Sequence, residues 1–184
     1  MQQTTQLRPV SRSELAEEIE FSVVLSGTYW GDRRPEFDIE LDGTVITSGR
    51  ILAPSSRVGL VNPEMTDEWL ANIKEKFTFT RDLESGDHVL DIVFKNKQPG
   101  DTGGFVDGGV LRDLLLHLDA LKLDNIDITD QLHELITYHL DQPQQYGDMT
   151  EPTDTLKKTL TMGFNGRLRL QFSTPLYIWL LENL

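Results

Sequence analysis

The stretch Glu36-Phe37-Asp38-Ile39-Glu40-Leu41-Asp42-Gly43 alternates strictly between apolar and acidic side chains. Successive side chains of a strand point to opposite faces. Phe37, Ile39 and Leu41 therefore share one face, and Glu36, Asp38, Glu40 and Asp42 share the other. A helix would scatter the acids around its circumference. The acidic face reads as a solvated one. The run stops at Asp42-Gly43, a dipeptide suited to positive φ, and Val45-Ile46 resume beyond it. The pattern predicts a hairpin.

Further along, residues 76–80 and 88–94 repeat this texture, rich in aromatic and β-branched side chains. Ser85-Gly86-Asp87 between them reads as the turn of a second hairpin. Residues 21–26, 114–118, 121–128, 132–140, 167–172 and 176–181 are further strand candidates. The last two flank Ser173-Thr174-Pro175, where proline breaks a ladder. Gly163-Phe164-Asn165-Gly166 reads as a turn. Around ten short strands separated by turns predict an all-β protein, a jelly-roll β-sandwich with at most one or two short helices. The helix signals are Ser11-Arg12-Ser13-Glu14, spaced as a capping box ahead of Leu15-Ala16-Glu17-Glu18, and Thr66-Asp67-Glu68-Trp69 at the head of residues 66–76. Residues 1–18 form a flexible N-terminal arm in this reading, and residues 19–184 a single sandwich domain.

Composition sets the outer limits. The chain has 184 residues, 17 Lys and Arg against 30 Asp and Glu, a net charge of −13, and no cysteine. Nucleic acid and anionic membrane surfaces repel such a chain. The lack of cysteine removes disulfide frameworks, zinc knuckles, iron–sulfur clusters and thiol nucleophiles. No signal peptide and no membrane-length apolar run are expected.

Catalytic signatures are missing from the sequence. There is no G-x-S-x-G elbow and no phosphate-binding glycine loop. Of His88, His117, His133 and His139, the last two are near neighbours, six residues apart on one face of the expected strand. They read as ordinary strand or loop histidines, since zinc needs three or four converging ligands. Residues 98–109 are glycine-rich, and Asp101, Asp107, Asp113 and Asp119 recur every six residues through and beyond them. Carboxylates on irregular backbone are the ligands calcium takes. Tyr29-Trp30, just after the first strand candidate, is the best platform for stacking on a sugar ring. Trp179, between Ile178 and Leu180, reads as a packing residue.

Taken together, Gly27-Thr28-Tyr29-Trp30, the run from Pro35 to Gly43, Phe77-Thr78-Phe79, and the run from Gly86 to Asn96 resemble the calcium-dependent xylan-binding modules. The resemblance covers about residues 19–130 and implies a jelly-roll sandwich. It implies glycan binding at Tyr29 and Trp30, and a calcium ion held by Asp113 and Asp119. The sequence departs from that pattern at Asn96-Lys97, where the family has Asn-Asp, and a lysine there repels calcium. The ending from Met162 to Asn183 is similar in texture to small structural proteins of tailed bacteriophages, marine cyanophages in particular.

Three functions follow as expectations. The first is a non-enzymatic virion structural protein of a tailed bacteriophage, a capsid decoration, neck or tail component built on a carbohydrate-binding-module-like sandwich. Its partners would be other virion proteins and itself, as a homo-oligomer joined through a sheet edge or the arm. The alternative is a carbohydrate-binding module, secreted or virion-borne and calcium-assisted, for a host-surface or plant-type polysaccharide. A glycoside-active enzyme using acids of the sandwich is the third.

Overall fold

The computed structural model describes residues 16–28, 33–52, 74–106, 109–145 and 151–184. Residues 1–15, the aromatic pair Tyr29 and Trp30, Asp107, and most of the helix expected at 66–76 lie outside them. The elements run β1 (Glu17–Thr28), β2 (Glu36–Leu41), β3 (Thr44–Arg50), β4 (Glu75–Leu83), β5 (Gly86–Phe94), β6 (Thr102–Val106), β7 (Gly109–Asp113), β8 (Leu115–Leu123) and β9 (Ile126–Asp127). A 3-10 turn (Thr129–Gln131) then leads into a single helical turn, α1 (Leu132–Leu135). The chain continues through β10 (Ile136–Gln144), β11 (Thr153–Lys157), β12 (Thr161–Met162), β13 (Gly166–Thr174) and helix α2 (Leu176–Asn183).

One antiparallel sheet has the order β12-β8-β1-β4, with β9 against β8. The other has the order β11-β10-β13-β5-β2-β3. The β6–β7 pair stands apart from both. The sheets bury one face each in a common core, so the all-β sandwich read from the sequence is the observed fold. Ile19, Phe21, Val23 and Leu25 of β1, each fully buried, face Phe37, Ile39, Leu90, Ile92, Phe94, Leu168, Leu170 and Phe172 of the other sheet. Each such side chain contributes about 1.5–3 kcal/mol relative to exposure. Aromatic rings bridge the layers: Phe21 meets Phe172 at 5.9 Å, and Phe37 meets Phe77 at 4.9 Å, both edge to face.

The Asp42-Gly43 hairpin forms as read. Leu41 pairs with Thr44, and the two turn residues have φ of 51° and 74°, the left-handed pair of a type I′ turn. The acidic face of β2 is less solvated than expected, because neighbouring strands answer each acid. Asp38 accepts from Lys95 at 2.6 Å and from the Ser48 hydroxyl. Burial raises the Asp38 pKa, but these two hydrogen bonds and the lysine charge outweigh it and hold the carboxyl below its ordinary range. Glu40 meets Arg167 at 3.5 Å, and Asp42 meets the His88 ring at 2.8 Å. Behind them, buried Asp91 takes both nitrogens of the Arg169 fork, at 2.9 and 2.7 Å, and holds that guanidinium above its usual pKa.

Five other expectations are corrected. Residues 76–80 and 88–94 are not a hairpin: β4 pairs with β1, whereas β5 inserts between β13 and β2 in the opposite sheet. The Thr174 hydroxyl, donating to the Glu84 carbonyl at 2.6 Å and accepting from the Gly86 amide at 3.1 Å, fixes this crossing. Residues 114–118 and 121–128 are not two strands. Leu116 and Leu118 face the core, then Leu121 and Leu123 do, a one-residue change of parity. The strand absorbs it as a bulge at Asp119, since Val24 pairs with Ala120 but Leu25 with Leu118. Residues 132–140 begin as α1, so His133 and His139 do not share a strand face. Residues 176–181 are helical, not extended: Leu176, Trp179 and Leu180 are buried at helical spacing, with Trp179 edge-on to Phe172 at 6.2 Å. At the other end Glu17 and Glu18 open β1 and do not extend a helix.

Two glycines separate backbone strain from steric conflict. Gly43 has φ of 74° and open space where a side chain would go, whereas a Cβ on Gly166 would lie 2.2 Å from the His139 carbonyl oxygen. Gly43→Ala is expected to cost about 1 kcal/mol. Gly166→Ala, which adds a backbone clash to a φ of 153°, is expected to cost at least about 3 kcal/mol in urea unfolding.

Candidate functional site

Strands β10, β13 and β5 are neighbours, and the ladders that join them end at the same level. Leu140 pairs with Gly166, and Gly166 pairs with Phe94. Whatever follows Phe94, precedes Gly166 or follows Leu140 therefore emerges from one edge of the sandwich. These segments enclose a cleft of about 540 Å³. That volume lies within the usual range of ligand sites.

The connection from β5 to β6 supplies Lys97, Gln98, Pro99, Gly100 and, at its far end, Thr102. The end of β10 supplies Asp141, Gln142 and Gln144. The turn between β12 and β13 supplies Phe164 and Asn165. Among the described residues the lining is thus rich in primary amides, with one aromatic ring and one carboxylate. An amide offers two donors and an acceptor in one plane. Vicinal hydroxyls present donors and acceptors together, so they suit such a surface. The Phe164 ring adds an apolar patch.

The walls are held by hydrogen bonds that run between segments. The Asn165 amide grips the Lys97 backbone from both sides: Lys97 N donates to Asn165 Oδ1 at 2.7 Å, and Asn165 Nδ2 donates to the Lys97 carbonyl at 2.9 Å. The Asp141 amide donates to the Asn165 carbonyl at 3.1 Å. The phenol of buried Tyr138 donates to the Phe164 carbonyl at 2.5 Å and accepts from the Phe164 amide at 3.0 Å. Asn96 does the same for the entry to β2, accepting from Glu36 N at 2.9 Å and donating to the Arg34 carbonyl at 2.7 Å.

Two ion pairs underlie the β5–β6 connection. Arg33 Nη1 donates to both carboxylate oxygens of buried Asp101, at 2.5 and 2.7 Å, and to Gln98 Oε1 at 3.2 Å, while Nη2 donates to the Asn96 carbonyl. Lys97 Nζ donates to Asp113 Oδ1 and, at 3.0 Å, to the Leu114 carbonyl. Thr102 Oγ1 donates to the same Asp113 oxygen at 2.7 Å. The Asp113 backbone carbonyl accepts from Thr28 Oγ1 at 2.6 Å, which ties the end of β1 to this corner.

Of the residues expected from the sequence, two acids are described. Tyr29 and Trp30 lie outside the described residues. Asp113 is beside the cleft but is spent on Lys97. Asp119 is the bulged residue of β8, its side chain covered, with Lys74 Nζ at 3.7 Å. The described members of the aspartate series thus divide among three cations, Asp101 to Arg33, Asp113 to Lys97 and Asp119 to Lys74. Among the described residues no three His, Asp or Glu side chains gather as a metal would need. Calcium takes six to eight oxygens, and this donor set, already facing ammonium and guanidinium groups, does not fit it.

The cleft itself was not read from the sequence. Two of its segments are legible in the sequence, as a glycine-rich loop and a turn at 163–166. Their convergence depends on strand order, which a local pattern does not encode.

No family model and no curated protein matches the sequence. A solved structure, "vCBM60 in complex with galactobiose", is similar over 82% of this chain and 96% of its own, at 9% identity and a TM-score of 0.47.

Asn165→Ala would leave the Lys97 amide and carbonyl without their partner. It is expected to cost about 1–3 kcal/mol. Amide hydrogen exchange should quicken at residues 95–101 while the β1 core keeps its protection.

Proposed function

We propose that the chain is a non-catalytic carbohydrate-binding module that holds a neutral glycan in the cleft between the β5–β6 connection, the end of β10 and the β12–β13 turn. The observation that carries this reading is the lining: Gln98, Gln142, Gln144 and Asn165 around Phe164, on walls fixed by Tyr138 and Asn165. Rigid supports lower the ordering cost of binding. The xylan-binding resemblance of residues 19–130 points the same way.

Charge narrows the ligand class. The cations at the base of the cleft, Lys97 and Arg33, are matched by Asp113 and Asp101. Asp141 adds a carboxylate to the lining, and the chain carries a net charge of −13. Sulfated and uronate-rich polysaccharides are disfavoured by this field, and neutral ones are not.

A virion structural role is the second reading, on one observation. Helix α2 buries Leu176, Trp179 and Leu180 but exposes Tyr177, Ile178 and Leu181, the last at 87%. A contiguous apolar surface of this kind marks contact with other proteins.

Two experiments separate these readings. In affinity electrophoresis across a polysaccharide panel, retardation by neutral and not by acidic polymers is expected. Phe164→Ala and a Gln142→Ala/Gln144→Ala pair should each weaken binding about tenfold with the fold intact. A Tyr29→Ala/Trp30→Ala pair in the same gels asks whether the platform expected from the sequence contributes. If only that pair matters, the cleft assignment fails. For the second reading, mass spectrometry of purified phage particles should find the polypeptide, and its absence from them ends that reading.

A further inference from the structure

Calcium-assisted binding is what the sequence resemblance implies, and the cleft is built differently. We propose that Lys97 and Arg33 are the resident cations of this site, holding its loop in place of a metal, and that the cleft is organised without calcium.

The two side chains share one bonding pattern. Each reaches from its own segment to a carboxylate and to a main-chain carbonyl. Lys97 Nζ takes Asp113 Oδ1 and the Leu114 oxygen; Arg33 takes Asp101 and the Asn96 oxygen. Carboxylate plus carbonyl is the oxygen set that a divalent cation collects when it fixes a loop. Here the positive charge arrives on a covalent tether. Loop closure is therefore not coupled to the concentration of an ion.

The pairs are well placed to act as fixed cross-links. Lys97 and Asp113 side chains are only 10% and 17% exposed, and Asp101 is 4% exposed. Screening by salt is weak at such sites. The Lys97 side chain starts from a fixed point, because Asn165 clamps its backbone amide and carbonyl. The Asp113 oxygen that receives Lys97 also receives Thr102, so its lone pairs are occupied. Asp101 closes a turn as well, accepting from Gln98 N at 2.7 Å while its own amide donates to the Gln98 carbonyl at 3.1 Å. Lys97 joins the loop to the β7–β8 junction, and Arg33 joins it to the entry of β2. The loop is thereby attached at both ends to opposite sheets of the sandwich.

The test uses the full chain without glycan, so that it stands apart from the binding proposal. Thermal unfolding and calorimetric titration are run with calcium chloride and with a chelator, on the natural chain, Lys97→Met and Lys97→Arg. The natural chain should melt within about 1 °C in the two conditions and show no stoichiometric heat with calcium. Lys97→Met, which keeps the stem and removes the charge, should melt several degrees lower, and Lys97→Arg should recover part of the loss. Stoichiometric calcium binding that raises the melting point of the natural chain would overturn the proposal. So would a Lys97→Met variant as stable as the natural chain. If Lys97→Met does not fold, the calcium titration of the natural chain decides alone. The final clause rests on the glycan reading: binding that a chelator abolishes would refute this inference and leave that reading standing, whereas a calcium-indifferent fold that retards no polysaccharide would do the reverse.

Discussion

Two sheets that are each apolar on one side have to lose those sides to one another, and this mutual burial sets the rest of the molecule. Phe21 lies against Phe172, and Phe37 against Phe77, so neither layer has a complete core without its partner. The chain must then pass from layer to layer, and it does so sharply between β4 and β5, where the Thr174 hydroxyl takes over the hydrogen bonding that a ladder would otherwise supply. Because β5 ends at Phe94, β13 begins at Gly166 and the β10–β13 ladder stops at Leu140, the segments beyond them leave the sandwich together. The cleft is a consequence of that register.

The polar parts of the structure follow the same economy of placement. A loop covering the edge of a sandwich carries main-chain groups that no ladder satisfies. Here side chains satisfy them: Asn165 for Lys97, Tyr138 for Phe164, Asn96 for Glu36, and the Arg33–Asp101 pair for the turn at Gln98. Half-buried charge is costly unless it is paired and hydrogen-bonded, and both conditions hold for Lys97 and Arg33. Losing one partner of either pair therefore costs more than the pair itself contributes.

Legibility in the sequence tracked the range of the interaction that decided each feature. The Asp42-Gly43 turn was readable because two adjacent residues determine it. The bulge at Asp119 left a signal too, since the buried leucines before it, Leu114, Leu116 and Leu118, fall on even positions and those after it, Leu121 and Leu123, on odd ones. A strand can keep such a pattern on one face only by inserting a residue. Helix α2 was misread as a strand although Leu176, Trp179 and Leu180 carry a helical spacing, because six of its first six residues are apolar or aromatic and blur the period. The β4–β5 crossing was illegible in principle: alternation is the same whether two strands pair with each other or lie in opposite layers. The site was hidden for the same reason, since Phe164, Asn165 and Gln98 become neighbours only through the order β10-β13-β5.

With Lys97 and Arg33 committed to internal carboxylates, the described lining offers amides, a ring and one acid to the proposed ligand. Selectivity must then come from the direction of hydrogen bonds and from shape. Such a surface discriminates sharply against a ligand that lacks one expected hydroxyl, because the amide left behind is desolvated without a partner. It discriminates weakly between ligands that place the same hydroxyls on different frameworks. A long, repeating, uncharged polymer suits this arrangement well, since a modest affinity per site is multiplied by the many equivalent registers in which the polymer can be gripped. The same chemistry explains why a rigid floor matters more here than a strong contact. Hydrogen bonds of this kind lose most of their worth when either partner is free to turn back to water, and Arg33, which holds the Gln98 amide at 3.2 Å, limits that freedom on the loop side of the cleft.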